Sequence, residues 1–440
     1  MKKILLSANN CFVLYNFRFG LMKELEKHNY KIVCLAGKDG SSEEIKKNNW
    51  RFINIDIDRR GKNLFNDLKL FFSYLKIYRQ EKPMCILQYT IKPNIYGTIA
   101  ARMLRIPVIN NVTGLGDTFS KENLTYKIVK ILYKISFKFP KKVFFQNKDD
   151  MNLFLKNKLI NLKKCDQIPG SGVDLDKFTV LKKERKDNKI IFLFLGRISN
   201  SKGVRIVNEI SKRMLKKNLN IEFWLLGKIY EDEKNHISKE ELLDWEQKSN
   251  IKYLGTSKDV RKQIKEADCI IFPSFYREGV PRSLIESAAM GKPILTTKNV
   301  GCKDIVEDGY NGYLAKPEDI EDMLGIVEKF LDLSEEEKKL MGLNGRKKAE
   351  KVTRFIYDLD KSIDNMLPKM EKGSFMVWTI GNRNVNKQMV HNDLILRELF
   401  ASKGVNIFTD LEREILSKRM PGRNNFSETM SKEKILIFKI

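Results

Sequence analysis

Lys189-Ile190-Ile191-Phe192-Leu193-Phe194-Leu195-Gly196-Arg197-Ile198-Ser199-Asn200-Ser201-Lys202-Gly203 is the stretch whose reading decides the fold. An unbroken apolar run bounded by polar and turn residues predicts a strand buried on both faces, as in a parallel sheet. A turn follows, and a helix is expected from about Gly203. Forward of this point, residues 222–227, 252–255, 269–273 and 293–297 read as further short strands. Backward of it an earlier series stands at 4–8, 31–36, 52–56, 84–89, 108–112 and 143–146. Amphipathic stretches such as 18–28 and 64–80 separate those strands. Alternating strand and helix predicts α/β layering with crossover connections.

The restart of the series predicts two doubly wound, Rossmann-like domains facing a cleft. The first covers 1–180 and the second 181–350, with a charged, apolar-poor linker at 181–188. A ligand is expected in the cleft, at the carboxyl ends of the strands. A helical stretch over 335–366 follows, and the segment 351–372 is expected as a closing helix. From 373 to 440 the pattern changes to a short α+β appendage, with strands at 375–380 and 435–439 and a helix at 393–402.

The bulk properties narrow the function. The six cysteines are scattered with no C-x-x-C pair, and there are three histidines, which argues against a zinc site and a disulfide framework and fits a reducing cytoplasm. No apolar run approaches the roughly 18 residues of a spanning helix. Ser7-Ala8-Asn9-Asn10 interrupts the N-terminal apolar run too early for a signal peptide. The net charge of +26 attracts polyanions: nucleic acid, anionic lipid or phosphorylated substrates. Residues 1–180 hold 33 Lys/Arg against 16 Asp/Glu, so the excess concentrates in the first domain. A genome that writes Lys freely onto solvated faces is the plain alternative.

Five constellations are candidates for chemistry. Arg197 and Lys202, five apart in the turn after the 189–196 strand, form a two-cation clamp suited to a diphosphate. The alternative is a basic surface turn. Glu278-Gly279-Val280-Pro281-Arg282-Ser283-Leu284-Ile285-Glu286 carries two carboxylates eight apart. Glu278, in the Gly279-Val280-Pro281 loop, is placed to reach a reacting sugar, and Glu286, on the next helix, to accept from a ribose diol. An ordinary helical Glu is the alternative for Glu286, although packed neighbours at 287–289 call for a polar partner. Asn110-Asn111-Val112-Thr113-Gly114-Leu115-Gly116-Asp117 ends a strand with glycines that let a ligand approach the backbone; a plain turn competes equally. The stretch 7–20, read as a loop, includes Asn16 and Arg18, the latter a candidate for a phosphate of donor or acceptor, with a helix-start Arg as the alternative. Over 121–145, Lys127, Lys130, Lys134, Lys138 and Lys141 form one helical stripe, and Ile128, Ile131, Leu132, Ile135 and Phe139 another. Such a helix suits an anionic membrane surface, or it buries its apolar side in the core.

Taken in order, the Arg197/Lys202 clamp, the Glu278…Glu286 pair, Gly172-Val173-Asp174 with Phe178, and Glu307-Asp308-Gly309 with Asn311-Gly312 resemble family 4 glycosyltransferases of the two-domain GT-B fold. The resemblance covers residues 1–368. It extends to enzymes that elongate lipid-linked sugars for bacterial glycans, on the 15–18 stretch and the Thr113-Gly114-Leu115-Gly116 turn. It implies a retaining transfer from a UDP-sugar, with a UDP-N-acetylhexosamine as one candidate donor, to a polyprenyl-diphosphate-linked saccharide. No metal or other cofactor is expected. Arg197 and Lys202 would then neutralise the leaving diphosphate, Glu278 contact the donor sugar and Glu286 the ribose. Gly279, Val280 and Pro281 would line the donor, with Arg18, Asn16, Thr113 and Gly114 on the substrate side. The protein would lie at the cytoplasmic face of the membrane as a peripheral protein.

The resemblance has one departure. Many family members carry a His near the acceptor, whereas His28, His236 and His391 all fall away from the Thr113 region. The acceptor-side group is therefore unassigned. A UDP-sugar epimerase, which would need cleft histidines, is one alternative function. A basic nucleic-acid-binding protein is another, although no recognition module is present and no specific nucleic-acid partner is expected. The tail resembles the C-terminal end of DNA-modifying methyltransferases through 380–383, 419–424 and 429–433. It lacks a methyl-donor glycine loop and an Asn/Asp-Pro-Pro-Tyr/Phe motif, so no catalysis of its own is expected.

Overall fold

The computed structural model describes residues 2–440 except 59–62, 120–122, 169, 186, 218, 232–235, 381–382, 386–387, 391 and 415–431. The chain opens with β1 (Lys3–Asn10), in which five consecutive residues, 4–8, are buried. Helix α1 (Cys11–Lys27) follows at once, because the Asn10 side chain accepts a hydrogen bond from the Val13 amide and caps it. This corrects the reading of 7–20 as a loop: Asn16 and Arg18 are helical. The buried residues Cys11, Leu14, Arg18 and Met22 recur at three- and four-residue spacing, and that face packs on the sheet.

The first lobe continues through β2 (Lys31–Gly37), α2 (Ser42–Lys47), β3 (Arg51–Asn54), α3 (Leu64–Glu81) and β4 (Cys85–Tyr89). Helix α4 (Thr98–Met103), β5 (Val108–Val112), α5 (Leu124–Ser136), β6 (Lys142–Phe145), α6 (Lys148–Lys156) and β7 (Cys165–Gln167) complete it. The sheet is parallel, in the order β3-β2-β1-β4-β5-β6-β7. The second lobe holds β8 (Ile190–Leu195), α7 (Val204–Lys216), β9 (Ile221–Leu226), α8 (Lys239–Lys248), β10 (Ile251–Tyr253) and α9 (Arg261–Glu266). It ends with β11 (Cys269–Phe272), α10 (Arg282–Ala289), β12 (Ile294–Thr297), β13 (Gly312–Ala315) and α11 (Ile320–Leu331). Its sheet is also parallel, in the order β10-β9-β8-β11-β12-β13. In each sheet the direction of growth reverses beside the first strand, at β1/β4 and at β8/β11. Open α/β sheets bind ligands at that switch point. The doubly wound architecture expected of both domains is the one the chain adopts.

The unbroken apolar run of β8 is explained by its neighbours. Phe192 stacks on Phe223 at 5.1 Å and Phe194 on Phe272 at 5.5 Å, one ring towards each flanking strand. Full burial of such a side chain contributes roughly 2–3 kcal/mol over leaving it exposed.

Helix α5 divides its apolar residues between two faces. Tyr126, Tyr133 and Phe137 face the core, where the Tyr133 ring lies 5.0 Å from Phe154. Ile128, Ile131 and Ile135 are 47%, 58% and 45% exposed, beside exposed Phe139, Lys127, Lys134 and Lys138. Most of the aliphatic stripe therefore points outward, and only Leu132 of it packs on the core. Among the described residues no helix is long and apolar enough to cross a membrane.

Two compact units divide the chain, Met1–Lys347 and Lys348–Ile440. Helix α12 (Glu335–Met366) spans the division. The second unit contains β14 (Phe375–Ile380), a hairpin of β15 (Arg383–Val385) and β16 (Gln388–Val390), α13 (Asn392–Ser402), β17 (Ile407–Glu414) and β18 (Lys432–Lys439). Strands β14, β18 and β17 form an antiparallel sheet in that order. Its core gathers Ile363, Met376, Leu396, Phe400, Leu436 and Phe438. Residues 419–424, on which part of the methyltransferase resemblance rests, lie outside the described residues.

Candidate active site

The turn after β8 is shaped by two glycines. Gly203 has φ +77°, and a Cβ there would lie 2.1 Å from the Pro273 carbonyl oxygen. Gly227, after β9, would meet the Gly196 carbonyl oxygen at 1.7 Å. The β8 turn is thereby pressed against the ends of β9 and β11, and it delivers Arg197 and Lys202 to the switch point of the second lobe.

The Arg197 guanidinium lies 4.7 Å from the Tyr230 ring and 5.6 Å from Tyr276. Lys202 is buried, its ammonium 4.8 Å from the same Tyr276 ring and ion-paired with Glu278. Ser274 donates its hydroxyl to the same Glu278 oxygen at 3.3 Å. The three residues read as catalytic, Arg197, Lys202 and Glu278, are thus gathered around one tyrosine. The aromatic rings hold both cations at the end of β8, and Glu278 balances the charge of Lys202.

Glu286 sits on α10, where Arg282 donates to it at 2.6 Å. Burial pushes its carboxyl up from the ordinary range, against the opposing pull of Arg282 and Lys177. Its neighbours Ser287, Ala288 and Ala289 are buried, as the packed sequence implied, and the partner it needs is Arg282 from one turn earlier.

The loop bearing Glu278 is gripped by the first lobe. Arg277 Nε donates to Asp150 Oδ1 at 2.7 Å, and that carboxylate is fully buried. Asn147 Nδ2 donates to the carbonyls of Glu278 and Gly279 at 3.3 Å. The Val280 amide donates to Gln146 Oε1 at 3.2 Å, and the Gly116 amide to the Arg277 carbonyl at 3.1 Å. Lys303 pairs with Asp149 at 3.0 Å beside them. Gly114 has φ +111°, and a Cβ on it would stand 2.5 Å from the Gly279 nitrogen; one on Gly279 would stand 2.5 Å from the Thr113 carbonyl oxygen. The close approach expected of a ligand at Thr113-Gly114 is here made by the Gly279 backbone.

Of the remaining candidates, Asn16 donates its amide to the Phe12 carbonyl of its own helix at 3.1 Å. Arg18 is buried under α1 with its guanidinium 4.4 Å from the Tyr89 ring. Pro281 stands immediately before α10, with no side-chain hydrogen bond to the helix start. Sequence reasoning missed Tyr230, Tyr276, Arg277, Asp150, Asn147 and Gln146. The available signal for the last three was their place just after β6, at the carboxyl edge of the sheet.

Two family models match in tandem: glycosyl transferase 4-like over residues 3–147, and glycosyl transferases group 1 over 176–348. A Campylobacter jejuni relative, N,N'-diacetylbacillosaminyl-diphospho-undecaprenol alpha-1,3-N-acetylgalactosaminyltransferase, is 30% identical over 75% of this chain and 89% of its own. An Escherichia coli relative, UDP-Gal:alpha-D-GlcNAc-diphosphoundecaprenol alpha-1,3-galactosyltransferase, is 25% identical over 69% of this chain and 80% of its own. Among solved structures, Anabaena HepE in complex with UDP and glucose superposes with TM-score 0.67 at 16% identity, over 84% of this chain and all of that one. A Rickettsia africae glycosyltransferase gives 0.64 at 18%, over 79% and 93%. Part of the tail falls within a match to the Kocuria varians type II methyltransferase M.MvaI, 36% identical over 23% of this chain and 24% of that one. With both lobes matched in order and the expected two-domain GT-B fold in place, the chain belongs to the group 1, family 4-like glycosyltransferases.

Proposed function

We propose that the enzyme moves a sugar from a UDP-sugar, a UDP-N-acetylhexosamine being one candidate, to a polyprenyl-diphosphate-linked saccharide, retaining the anomeric configuration. The observation that carries this reading is the convergence of Arg197, Lys202 and Glu278 around Tyr276 at the β8/β11 switch point. As the bond from the anomeric carbon to the β-phosphate oxygen breaks, negative charge grows on the departing UDP. Cations already in place stabilise that state more than the ground state. Glu278, paired with Lys202, faces the sugar once the ammonium turns to the diphosphate. Glu286 takes the ribose, and no metal is assigned a role. The acceptor class is supported by the Campylobacter and Escherichia coli relatives, both named for transfer to diphospho-undecaprenol-linked sugars.

The exposed aliphatic and lysine face of α5 supports a place on an anionic membrane at the cytoplasmic side, where such an acceptor presents its headgroup. Calorimetric titration tests the donor half of the reading. UDP binds the wild type, and Arg197→Ala abolishes that binding, while duplex DNA binds weakly with a steep salt dependence. Radiolabelled UDP-sugars offered with membrane lipid extracts test the whole. Glu278→Gln and Lys202→Ala each remove transfer from a protein that still melts cooperatively; transfer surviving both substitutions defeats the assignment.

A further inference from the structure

The first lobe has a switch point of its own, between β1 and β4, and the donor chemistry does not use it. Arg18 approaches it from α1. It is 6% exposed, and one terminal nitrogen donates to the Phe17 carbonyl at 3.0 Å. Its Nε and other terminal nitrogen have no partner among the described residues. These two nitrogens are the forked edge with which a guanidinium holds an oxyanion through two bonds. A buried guanidinium left half-satisfied is costly, so it calls for a ligand or an ordered group.

The surroundings give the ligand a direction. Arg18 stacks on Tyr89, the last residue of β4, and Tyr89 stands in register with Asn111 on β5. Register partners project to the same face of a sheet, so Asn111 lies beside the Tyr89 ring on the α1 side. Its Oδ1 is also buried and unpartnered. That atom only accepts, and it suits a hydroxyl. Arg282, reaching from the second lobe, has its guanidinium 5.4 Å from the Phe17 ring and adds positive charge at this rim. Burial, and secondarily the repulsion from Arg282, holds Arg18 below its usual basicity, and an arriving anion relieves both. The next residue, Thr90, is β-branched yet sits at φ +71°, a strained conformation of a kind that clusters at functional sites.

We propose that Arg18, Tyr89 and Asn111 form a glycosyl-phosphate pocket for the acceptor, with Arg18 gripping a phosphate and Asn111 Oδ1 accepting from a hydroxyl of the attached sugar. The pocket rests on the transfer reading above, because only a phosphate-linked acceptor gives it a substrate.

The test uses the full chain with glucose 1-phosphate and N-acetylglucosamine 1-phosphate as probes, and inorganic phosphate and the free sugars as controls. Titrations are run with UDP saturating, and again without UDP on the Arg197→Ala protein, so that the donor clamp neither competes nor decides the outcome. A sugar phosphate binds at least tenfold tighter than either of its halves. Arg18→Met weakens it at least tenfold, and Asn111→Ala weakens it several-fold without changing the affinity for inorganic phosphate. Ligand-free Arg18→Met melts at or above the wild-type temperature, since it removes an unsatisfied buried cation; a purely structural arginine would give a lower melting point.

Sugar-phosphate binding unchanged in Arg18→Met overturns the pocket, as does a drop in its ligand-free melting temperature. So does binding lost in Arg197→Ala alone. Absence of any sugar-phosphate binding, in a protein that still binds UDP and transfers sugar, overturns the pocket and leaves the transfer reading standing.

Discussion

Arg277 and Asp150 join the two lobes through a 2.7 Å ion pair whose carboxylate is wholly buried, one residue before the glutamate assigned to the donor sugar. Asp150 is also tied to Asn147, so the first lobe determines where the Glu278 loop lies. Burial pushes the Asp150 carboxyl above the ordinary aspartate range, with Arg277 and Asn147 opposing. Asp150→Asn is expected to lower kcat by about ten- to a hundredfold, the scale of a small misplacement of a reacting group, with UDP affinity nearly unchanged. The wild type loses activity on the acid side as that raised carboxyl takes up its proton, and Asp150→Asn, already neutral, lacks this limb of the pH profile. Arg277→Met, which strands the buried carboxylate, costs about 3–5 kcal/mol of stability. A wild-type kcat in Asp150→Asn would show that the loop does not need the pair.

Membrane attachment is tested on the outward face of α5. Lys127, Lys134 and Lys138 are exposed beside Ile128, Ile131 and Ile135. Each lysine near an anionic surface contributes about 1 kcal/mol. Reversing all three to Glu should therefore cut binding to phosphatidylglycerol vesicles by at least a hundredfold. Ile131→Asp alone should weaken binding to the same vesicles at high salt, where only insertion remains. Sedimentation with vesicles measures both, and undiminished binding of the triple variant refutes the attachment.

Several parts of this molecule were legible in the sequence and others were not, for physical reasons. The β8 run and the following clamp were readable because strand, turn and cations are local. The edge strands β7 and β13 were missed: Cys165–Gln167 has one apolar side chain in three residues and Gly312–Ala315 opens on a glycine, so neither shows an apolar run of strand length. The start of α1 rests on a single capping residue, Asn10, and the aromatic-rich stretch after it hid the helical spacing. In α5 the periodicity showed a lysine stripe and an aliphatic stripe but not which face wins the core. The aromatic face of Tyr126, Tyr133 and Phe137 does, because Phe154 and its neighbours offer matching rings. The Arg277–Asp150 pair spans 127 residues, and only the packed lobes bring it together.

The tail tests where the enzyme ends. Ile363, on α12, is buried with Met376, Leu396 and Phe400, so a cut after residue 372 strips the cover from an apolar surface. Arg346, by contrast, donates to the carbonyls of Phe178 and Ala289 at 2.6 and 2.8 Å and belongs to the first unit. A chain ending at residue 350 should keep most of its sugar transfer, because every residue assigned to the reaction belongs to the first unit. One ending at 372 should keep transfer but aggregate more readily. Loss of transfer in a well-folded 1–350 protein would give the tail a role in the reaction.

Two glycines separate the fold from the function. Both Gly203 and Gly114 have positive φ, at +77° and +111°, so alanine strains the backbone at either by about 1–2 kcal/mol. Beyond that they differ in what a methyl group meets. At Gly203 it meets the Pro273 carbonyl, inside one lobe, where β8 and β11 are paired and cannot part. Gly203→Ala should therefore lower the melting temperature markedly, with a total cost of roughly 3 kcal/mol once overpacking is added. At Gly114 the methyl group meets the Gly279 backbone across the lobes, and the lobes can separate slightly to admit it. Gly114→Ala should melt within a few degrees of the wild type yet lose at least tenfold in kcat, because the separation moves Glu278 away from the first lobe that positions it. Melting curves and initial rates on the same preparations distinguish the two, and a Gly114→Ala enzyme with full kcat would mean that the lobe contact is not required for turnover.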